Sequence, residues 1–247
     1  MYQVWYRNLK VWLKHIRASL IGNLGQPFLF LLAMGYGLGR SVPEIEGLPY
    51  LQFIAPGLVA SSVMYGAAFE ATYGSYTRLT TQGTFEAILM TPVSIEELAM
   101  GEILWGATKG FLGGVIMLIT LPLFGVMPDL WSLALIPILF AEGIIFSALG
   151  LIMTAIATNY DFFNYFTSLV ITPLFLFSGI FFSLKALAEP LRQLLYLLPL
   201  SSVVELSRNL CYGRIQDDIV LQLTDVAIFA LVCSATAIYL LRRRMIQ

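Results

Sequence analysis

The chain has 247 residues, of which 58% are apolar and only 12% are charged, and its mean hydropathy is +0.81. Soluble domains carry about 25% charged residues, so these values exclude an ordinary soluble fold, and they exclude a disordered chain because such chains are rich in charge. The net charge of −1 gives no basis for nucleic-acid binding. We therefore predict an all-α integral membrane protein, formed as a single domain over residues 1–247.

Six apolar windows are long enough to cross a membrane, since a transmembrane helix needs about 20 mostly apolar residues. The windows are continuous and do not alternate over about 10 residues, so they predict helices and not barrel strands. Basic residues near both chain ends predict that both termini face the cytoplasm, as an even number of spans requires. The predicted spans are residues 20–39, 51–72, 103–126, 130–158, 162–184 and 219–241.

The N-terminal segment, residues 1–19, has the period of an amphipathic helix. Its apolar residues recur at helical steps and its basic residues fall on another face, a pattern typical of a helix in the membrane interface with cations toward lipid phosphates. Simple anchoring also explains this pattern. The apolar set is Trp5, Leu9, Trp12, Leu13 and Ile16, and the basic set is Arg7, Lys10, Lys14 and Arg17.

The longest polar stretch, residues 73–102, contains a second amphipathic helix. Thr84 is predicted to cap it, with Glu86 in its first turn. The proline at position 92 ends it, and Ser94 opens the next helix with a capping box. Two interpretations remain open, docking on the chain's own bundle or docking on a partner protein. The residues that this helix presents are Thr84, Phe85, Glu86, Ile88 and Leu89.

The outer segment, residues 185–218, holds two apolar pieces that are too short to cross and that are separated near Pro199. We predict two short helices folded as a re-entrant or interfacial hairpin, because irregular backbone at membrane depth needs protein or a wet cavity around it. A plain extracellular loop is the alternative.

Two charged residues lie deep within predicted spans, Lys109 in the third and Glu142 in the fourth. Their estimated depths agree, so we predict that they pair, because an unpaired charge in the membrane is costly. The alternative is that Lys109 extends toward the interface while Glu142 is a neutral acid facing another helix. Glu70 and Glu102 lie near span ends and receive no role.

Common catalytic motifs are absent from the sequence. It contains neither the P-loop pattern G-x-x-x-x-G-K-[ST] nor the zinc pattern H-E-x-x-H. Its one histidine, His15, lies outside the predicted bundle, and its two cysteines define neither a disulfide framework nor a metal site. We therefore predict no catalysis, no cofactor and no metal in this chain, which leaves a transport or channel subunit or a membrane scaffold.

Four stretches carry a family resemblance. They read GTFEAILMTPVS at residues 83–94, FIAPGL at 53–58, NYDFF at 159–163 and TPLFLFSGIFF at 172–182. With the basic N-terminal helix and six spans, they resemble the permeases of type-2 ABC exporters. The resemblance covers essentially the whole chain. It is strongest to the branch that includes export permeases for nodulation factors, which are lipo-oligosaccharides.

The resemblance implies a permease subunit that exports an amphiphile across the bacterial inner membrane. It implies a homodimer around a central path, with a separate ABC ATPase that binds ATP and Mg. The helix at residues 84–90 would be the coupling helix that enters a cleft on that ATPase. A self-sufficient channel or secondary transporter is the alternative, although the two halves of the sequence show no convincing repeat.

Aromatic residues on the second and fifth predicted spans are candidates for lining the path of an amphiphile. Aromatic stripes in membrane helices also arise from packing alone, so the two interpretations stay open. The candidates are Tyr65, Phe69, Phe166, Phe175 and Phe177.

Overall fold

The computed structural model describes residues 1–14, 16, 25, 27–42, 44–214 and 218–246. Its elements are almost entirely helical. In chain order they are α1 (Tyr2–Leu13), α2 (Pro27–Gly37), β1 (Glu44–Ile45), β2 (Leu48–Pro49), α3 (Tyr50–Thr80), α4 (Thr84–Leu89), α5 (Ile95–Thr120), α6 (Leu135–Ile156), α7 (Phe162–Phe177), α8 (Glu189–Tyr196), α9 (Pro199–Cys211) and α10 (Ile219–Ile246).

Among the described residues, four helices are long and apolar enough to cross a membrane. These are α3, α5 with the 3₁₀ turn after it, α6 with the 3₁₀ turn before it, and α10. They coincide with four of the predicted spans. The other two predicted spans correspond to the shorter apolar helices α2 and α7, and residues 20–24 and 26 of the first lie outside the described residues. A total of six crossings therefore stays a prediction.

The helix α7 ends before the predicted fifth span does. The prediction ran to residue 184, but the helix stops at Phe177 and the chain turns at Gly179, whose φ is +82°. This left-handed conformation is open to glycine at little cost. The apolar residues that follow line a turn packed on the bundle, with Ile180 fully buried.

Helix α3 is the centre of the bundle. It packs against α5, α6 and α9 and is buried nearly all round, whereas α10 packs mainly on α6 and leaves most of its surface exposed. Two small residues set the closest approach of α3 and α5: a Cβ on Gly66 would lie 2.9 Å from the Cα of Gly110. Gly110 of helix α5 therefore faces α3.

The outer segment forms two helices, α8 and α9, separated at residues 197 and 198, directly before Pro199. Every residue of α9 except Glu205 is buried. Helix α9 is therefore packed on the bundle, whereas α8 leaves Leu194 and the following Leu197 exposed, so the predicted burial of the first apolar piece is wrong for these two residues. The depth of the segment in a membrane stays a prediction.

Helix α9 completes the hydrogen bonding of α3 at a proline. Pro56 has no N–H to donate to the carbonyl of Gln52, which would be its partner four residues earlier. The hydroxyl of Tyr212, next to the end of α9, donates to that carbonyl at 2.7 Å. Arg208 donates through Nε to the carbonyl of Phe53 and through Nη2 to that of Gly179. This arginine joins the interrupted turn of α3 to the turn after α7.

Both described chain ends lie at one end of the bundle, which we call the terminus end. The N-terminal amine is 3.5 Å from Glu97, and Arg242 is 3.1 Å from Glu96, at the start of α5. Nearby, Arg244 donates through Nη1 to three carbonyls at the end of α6, where the helix dipole favours a cation. The α4 segment precedes α5, so it belongs to the same end.

Helix α1 packs along α5, with Val4 buried against Gly101 and the indole of Trp5 donating to Thr108 at 3.0 Å. Arg7 does not lie on the exposed basic side of α1 with Lys10 and Lys14. Its side chain turns inward and donates to Asn8 and Thr84. Lys10 and Lys14 are exposed, as predicted, while His15 and Arg17 lie outside the described residues.

Candidate functional site: helix α4 and the buried ionic network

Helix α4 begins without the predicted threonine cap. Gly83 takes the N-cap position in a left-handed conformation, with φ of 58°, and Thr84 is already helical. The hydroxyl oxygen of Thr84 accepts a hydrogen bond from Arg7 at 3.3 Å. The capping box predicted for α5 is confirmed: the Glu97 amide donates to Ser94 and the Ser94 amide to the Glu97 carboxylate, both at 3.1 Å.

The apolar face of α4 is turned toward the chain's own bundle. Phe85 is fully buried, and Ile88 and Leu89 are half-buried against the core. The opposite side presents Glu86 and Ala87, and Met90 directly after the helix is 89% exposed. Of the predicted contact residues, Glu86 is therefore the one that faces outward, and the exposed methionine was not predicted. A partner at this site would meet a small surface, which we call the α4 outer face: Glu86, Ala87, Met90, Thr91 and Pro92.

Four charged side chains form a buried ionic network beside α4: Glu70, Arg78, Glu102 and Lys109. Arg78 lies 2.8 Å from Glu70 and 2.7 Å from Glu102, and Lys109 lies 2.5 Å from Glu70. The indole of Trp105 donates a further hydrogen bond to Glu70 at 2.8 Å. Each buried carboxylate is thus balanced by a cation, which offsets the cost of removing it from water.

The ionic network reaches two other parts of the terminus end, helices α1 and α4. The Asn8 amide donates to Glu102 at 2.7 Å, and Arg7 joins Asn8 to Thr84. Through these contacts, α1 and α4 are linked to α3 and α5 by buried and partly buried polar groups.

Lys109 and Glu142 do not form the predicted ion pair. Lys109 pairs with Glu70 across the contact of α3 and α5. Glu142 is fully buried, and neither of its carboxylate oxygens has a hydrogen-bond partner among the described residues. The prediction rested on the similar depth of the two residues in the membrane, but depth does not determine which faces of the helices pack together. The alternative, an acid facing another helix, agrees with the burial of Glu142.

Glu70 lies at a local change in helix type. Residues Glu70–Gly74 form a π-helical turn inside α3, a feature that often occurs at functional sites. The carboxylate folds back over Gly74, where an added Cβ would lie 2.6 Å from the Glu70 Oε1 atom. Glycine at position 74 therefore leaves room for the carboxylate that holds both cations.

The aromatic candidates separate into two groups. Tyr65 lies 5.8 Å from Phe69 and 5.6 Å from Phe175, between ring centroids, so these three form one cluster between α3 and α7. Phe166 is buried elsewhere on α7, and Phe177 is 51% exposed at its end. The structure brings three of the five together, and their contact with a substrate stays a prediction.

Comparison with known proteins decides the family. The model of the ABC-2 type transporter family matches residues 1–212. The chain belongs to the ABC-2 type transporter family. Its α4 segment and its ionic network both lie within the matched range, so they are features of a membrane transport permease.

Individual relatives of this ABC-2 type transporter cover almost its whole length. Nodulation protein J of Sinorhizobium fredii is 33% identical over 244 residues, which is 99% of this chain and 93% of that protein. Nodulation protein J of Rhizobium meliloti is 34% identical over 98% of this chain and 92% of its own. The inner membrane transport permease YadH of Escherichia coli is 26% identical over 81% of this chain and 80% of its own.

Proposed function

We propose that this chain is the permease subunit of an ATP-driven exporter whose ATP hydrolysis takes place in a separate ABC ATPase. The observation that carries the proposal is the α4 outer face: a short helix anchored by Phe85 presents Glu86 and Met90 away from the bundle. Membership of the ABC-2 type transporter family supports a partner of this kind. ATP and Mg would bind to that partner.

The proposed arrangement places the terminus end in the cytoplasm of a bacterium and the chain in its inner membrane. The shared position of both chain ends supports an even number of crossings. Two copies of the chain would surround the path. The name of YadH, an inner membrane transport permease, supports the same location.

Coupling between ATPase and permease would run through the polar contacts of α4. A partner that moves α4 would pull on Thr84, and the hydrogen bond from Arg7 would carry the displacement to Asn8 and Glu102. From there the ionic network connects to the π-helical turn of α3. We propose that this turn changes its hydrogen bonding as the path opens.

The proposed substrate is an amphiphile, such as a lipo-oligosaccharide, a lipid-linked polysaccharide or a drug-like molecule. Support comes from the similarity to the two forms of Nodulation protein J and from the aromatic cluster of Tyr65, Phe69 and Phe175. Aromatic rings have apolar faces that accept acyl chains and sugar rings.

Reversing the charge of Glu86 tests the proposal. Glu86→Arg should weaken the complex with the ATPase by at least about tenfold, because a side chain at the centre of a small interface carries much of its binding energy. The matched control is Glu44→Arg, the same charge change on the exposed strand β1 at the opposite end of the bundle. Co-purification from membranes, with quantification of both subunits, measures the effect.

Insertion of the Glu86→Arg protein in the membrane should be unchanged, since the residue is exposed and has no part in the core. If the variant retains the ATPase and transport as well as the Glu44→Arg control does, α4 is not the docking helix. If no ATPase co-purifies with either protein but transport persists, the chain is a self-sufficient channel or secondary transporter.

A further inference from the structure

A cavity of about 350 Å³ lies at the terminus end, between α1 and the helices α3 and α5. Its walls combine cations and indole rings with one carboxylate, that of Glu70. Arg7 and Trp12 line it from α1, Arg78 from α3, and Trp105 and Lys109 from α5. The two indoles meet edge to face with their ring centroids 6.0 Å apart.

The charges around this cavity do not balance. Arg78 and Lys109 are neutralised by Glu70 and Glu102. Arg7 has no carboxylate within ion-pair distance in the part of the chain that the structure describes, and it donates only to uncharged oxygens of Asn8 and Thr84. Partial burial, together with the nearby Arg78 guanidinium, lowers the pKa of Arg7. One positive charge at the cavity wall is therefore left without a counter-charge.

A hydrogen-bond donor in the same wall also lacks an acceptor. The indole nitrogen of Trp12 is buried, and no described atom accepts its hydrogen bond. A buried donor without a partner loses the hydrogen bonds it would make in water, so such groups usually have a partner. A negatively charged acceptor with several oxygens has the chemistry to satisfy both Arg7 and Trp12.

We infer that this cavity binds the phosphate group of an anionic phospholipid from the adjacent membrane leaflet. Phosphate oxygens accept hydrogen bonds from a guanidinium and from an indole N–H at once. A lipid source fits better than a free phosphate ion because Val11, which lines the cavity, exposes apolar surface beside it. Helix α1 has the amphipathic pattern of an interfacial helix, which lies at headgroup level. The site does not depend on the proposed function.

The test uses the full-length protein, purified in detergent, depleted of lipid, and exposed to dioleoyl phosphatidylglycerol or dioleoyl phosphatidylcholine. Native mass spectrometry then measures the lipid-bound fraction. Both lipids carry a phosphodiester, but the choline cation of phosphatidylcholine offsets its negative charge. One phosphatidylglycerol per chain should therefore bind with about a tenfold preference, the size expected for charge-assisted hydrogen bonds. Arg7→Gln should abolish the preference, and Trp12→Phe, which keeps an aromatic ring, should reduce it about two- to fivefold.

The matched control is Lys10→Gln, which removes the same charge from the same helix at an exposed position outside the cavity. It should keep the full preference. If Lys10→Gln and Arg7→Gln reduce the preference for phosphatidylglycerol equally, the lipid is attracted to the basic helix in general, and the proposed site is wrong. Displacement of the lipid by millimolar inorganic phosphate would overturn the lipid source. A Trp12→Phe protein that folds like the wild type and binds unchanged would overturn the role of the indole.

Discussion

Glu70→Gln is expected to lower the free energy of unfolding by about 3–5 kcal/mol, the cost of removing one partner from a buried ion pair. The substitution keeps the size of the side chain but removes the charge that balances both Lys109 and Arg78. Denaturant titration in detergent micelles, followed by tryptophan fluorescence, measures the change.

Two further variants show whether the loss comes from the network. Glu189→Gln makes the same change in an exposed pair with Arg192 and should cost no more than about 1 kcal/mol. Adding Lys109→Met to Glu70→Gln should recover part of the stability, since it removes the cation left without a partner. If Glu70→Gln lowers the free energy of unfolding no more than Glu189→Gln does, the ionic network does not stabilise the fold.

Gly110→Ala is expected to have the second large effect on stability, because the close contact that it disturbs is made by backbone atoms of α3. An added Cβ would lie 2.5 Å from the carbonyl oxygen of Val63 and 2.8 Å from the amide nitrogen of Ala67. Neither atom moves without shifting α3, so we expect a loss of about 1–3 kcal/mol in the same titration, typical of overpacking.

Gly113→Ala is the matched control, one turn along the same helix. Its added Cβ would lie 3.6 Å from the nearest atom, the carbonyl oxygen of Ser62, which is an ordinary contact. Alanine is the better helix former by about 1 kcal/mol, so this variant should be neutral or more stable. If Gly113→Ala is as unstable as Gly110→Ala, the close approach of α3 and α5 is not the reason that alanine at position 110 destabilises the protein.

Much of the architecture follows from hydropathy and local signals. The four long apolar helices were predicted because the length of an apolar run is a property of the sequence alone. The same holds for α1, whose helical period is visible over about three turns of sequence, and for the start of α5, where Ser94 and Glu97 are only three residues apart. Features that depend on a few neighbouring residues were therefore predicted well.

Features that depend on which helices meet were not predictable in the same way. Glu70 and Lys109 are 39 residues apart, and only the packing of α3 on α5 brings them together. The spacing of Glu102 and Lys109 by seven residues placed both on one helix face, a signal that could have suggested a network. The prediction treated Glu70 and Glu102 as ordinary charges near span ends, and so missed it.

The conformation of single residues explains two further differences. Gly83 adopts the left-handed conformation that makes it the N-cap, so Thr84 is left to contact Arg7. Sequence periodicity correctly predicted that α4 has one apolar face. It does not determine whether that face packs on the chain's own core or on a partner. In the structure Phe85 meets the core.

Cross-linking from position 90 tests the central claim, that the α4 outer face docks a separate ATPase. A cysteine introduced at Met90, which is 89% exposed, would be compared with one introduced at Leu123, which is 82% exposed after α5 at the opposite end of the bundle. The two native cysteines are buried in both proteins. With a short thiol-to-amine reagent in native membranes, we expect an adduct from Met90→Cys that mass spectrometry identifies as a P-loop ATPase, and no such adduct from Leu123→Cys. Cross-linking of the ATPase from position 123, or its absence from every adduct at position 90, would contradict the account.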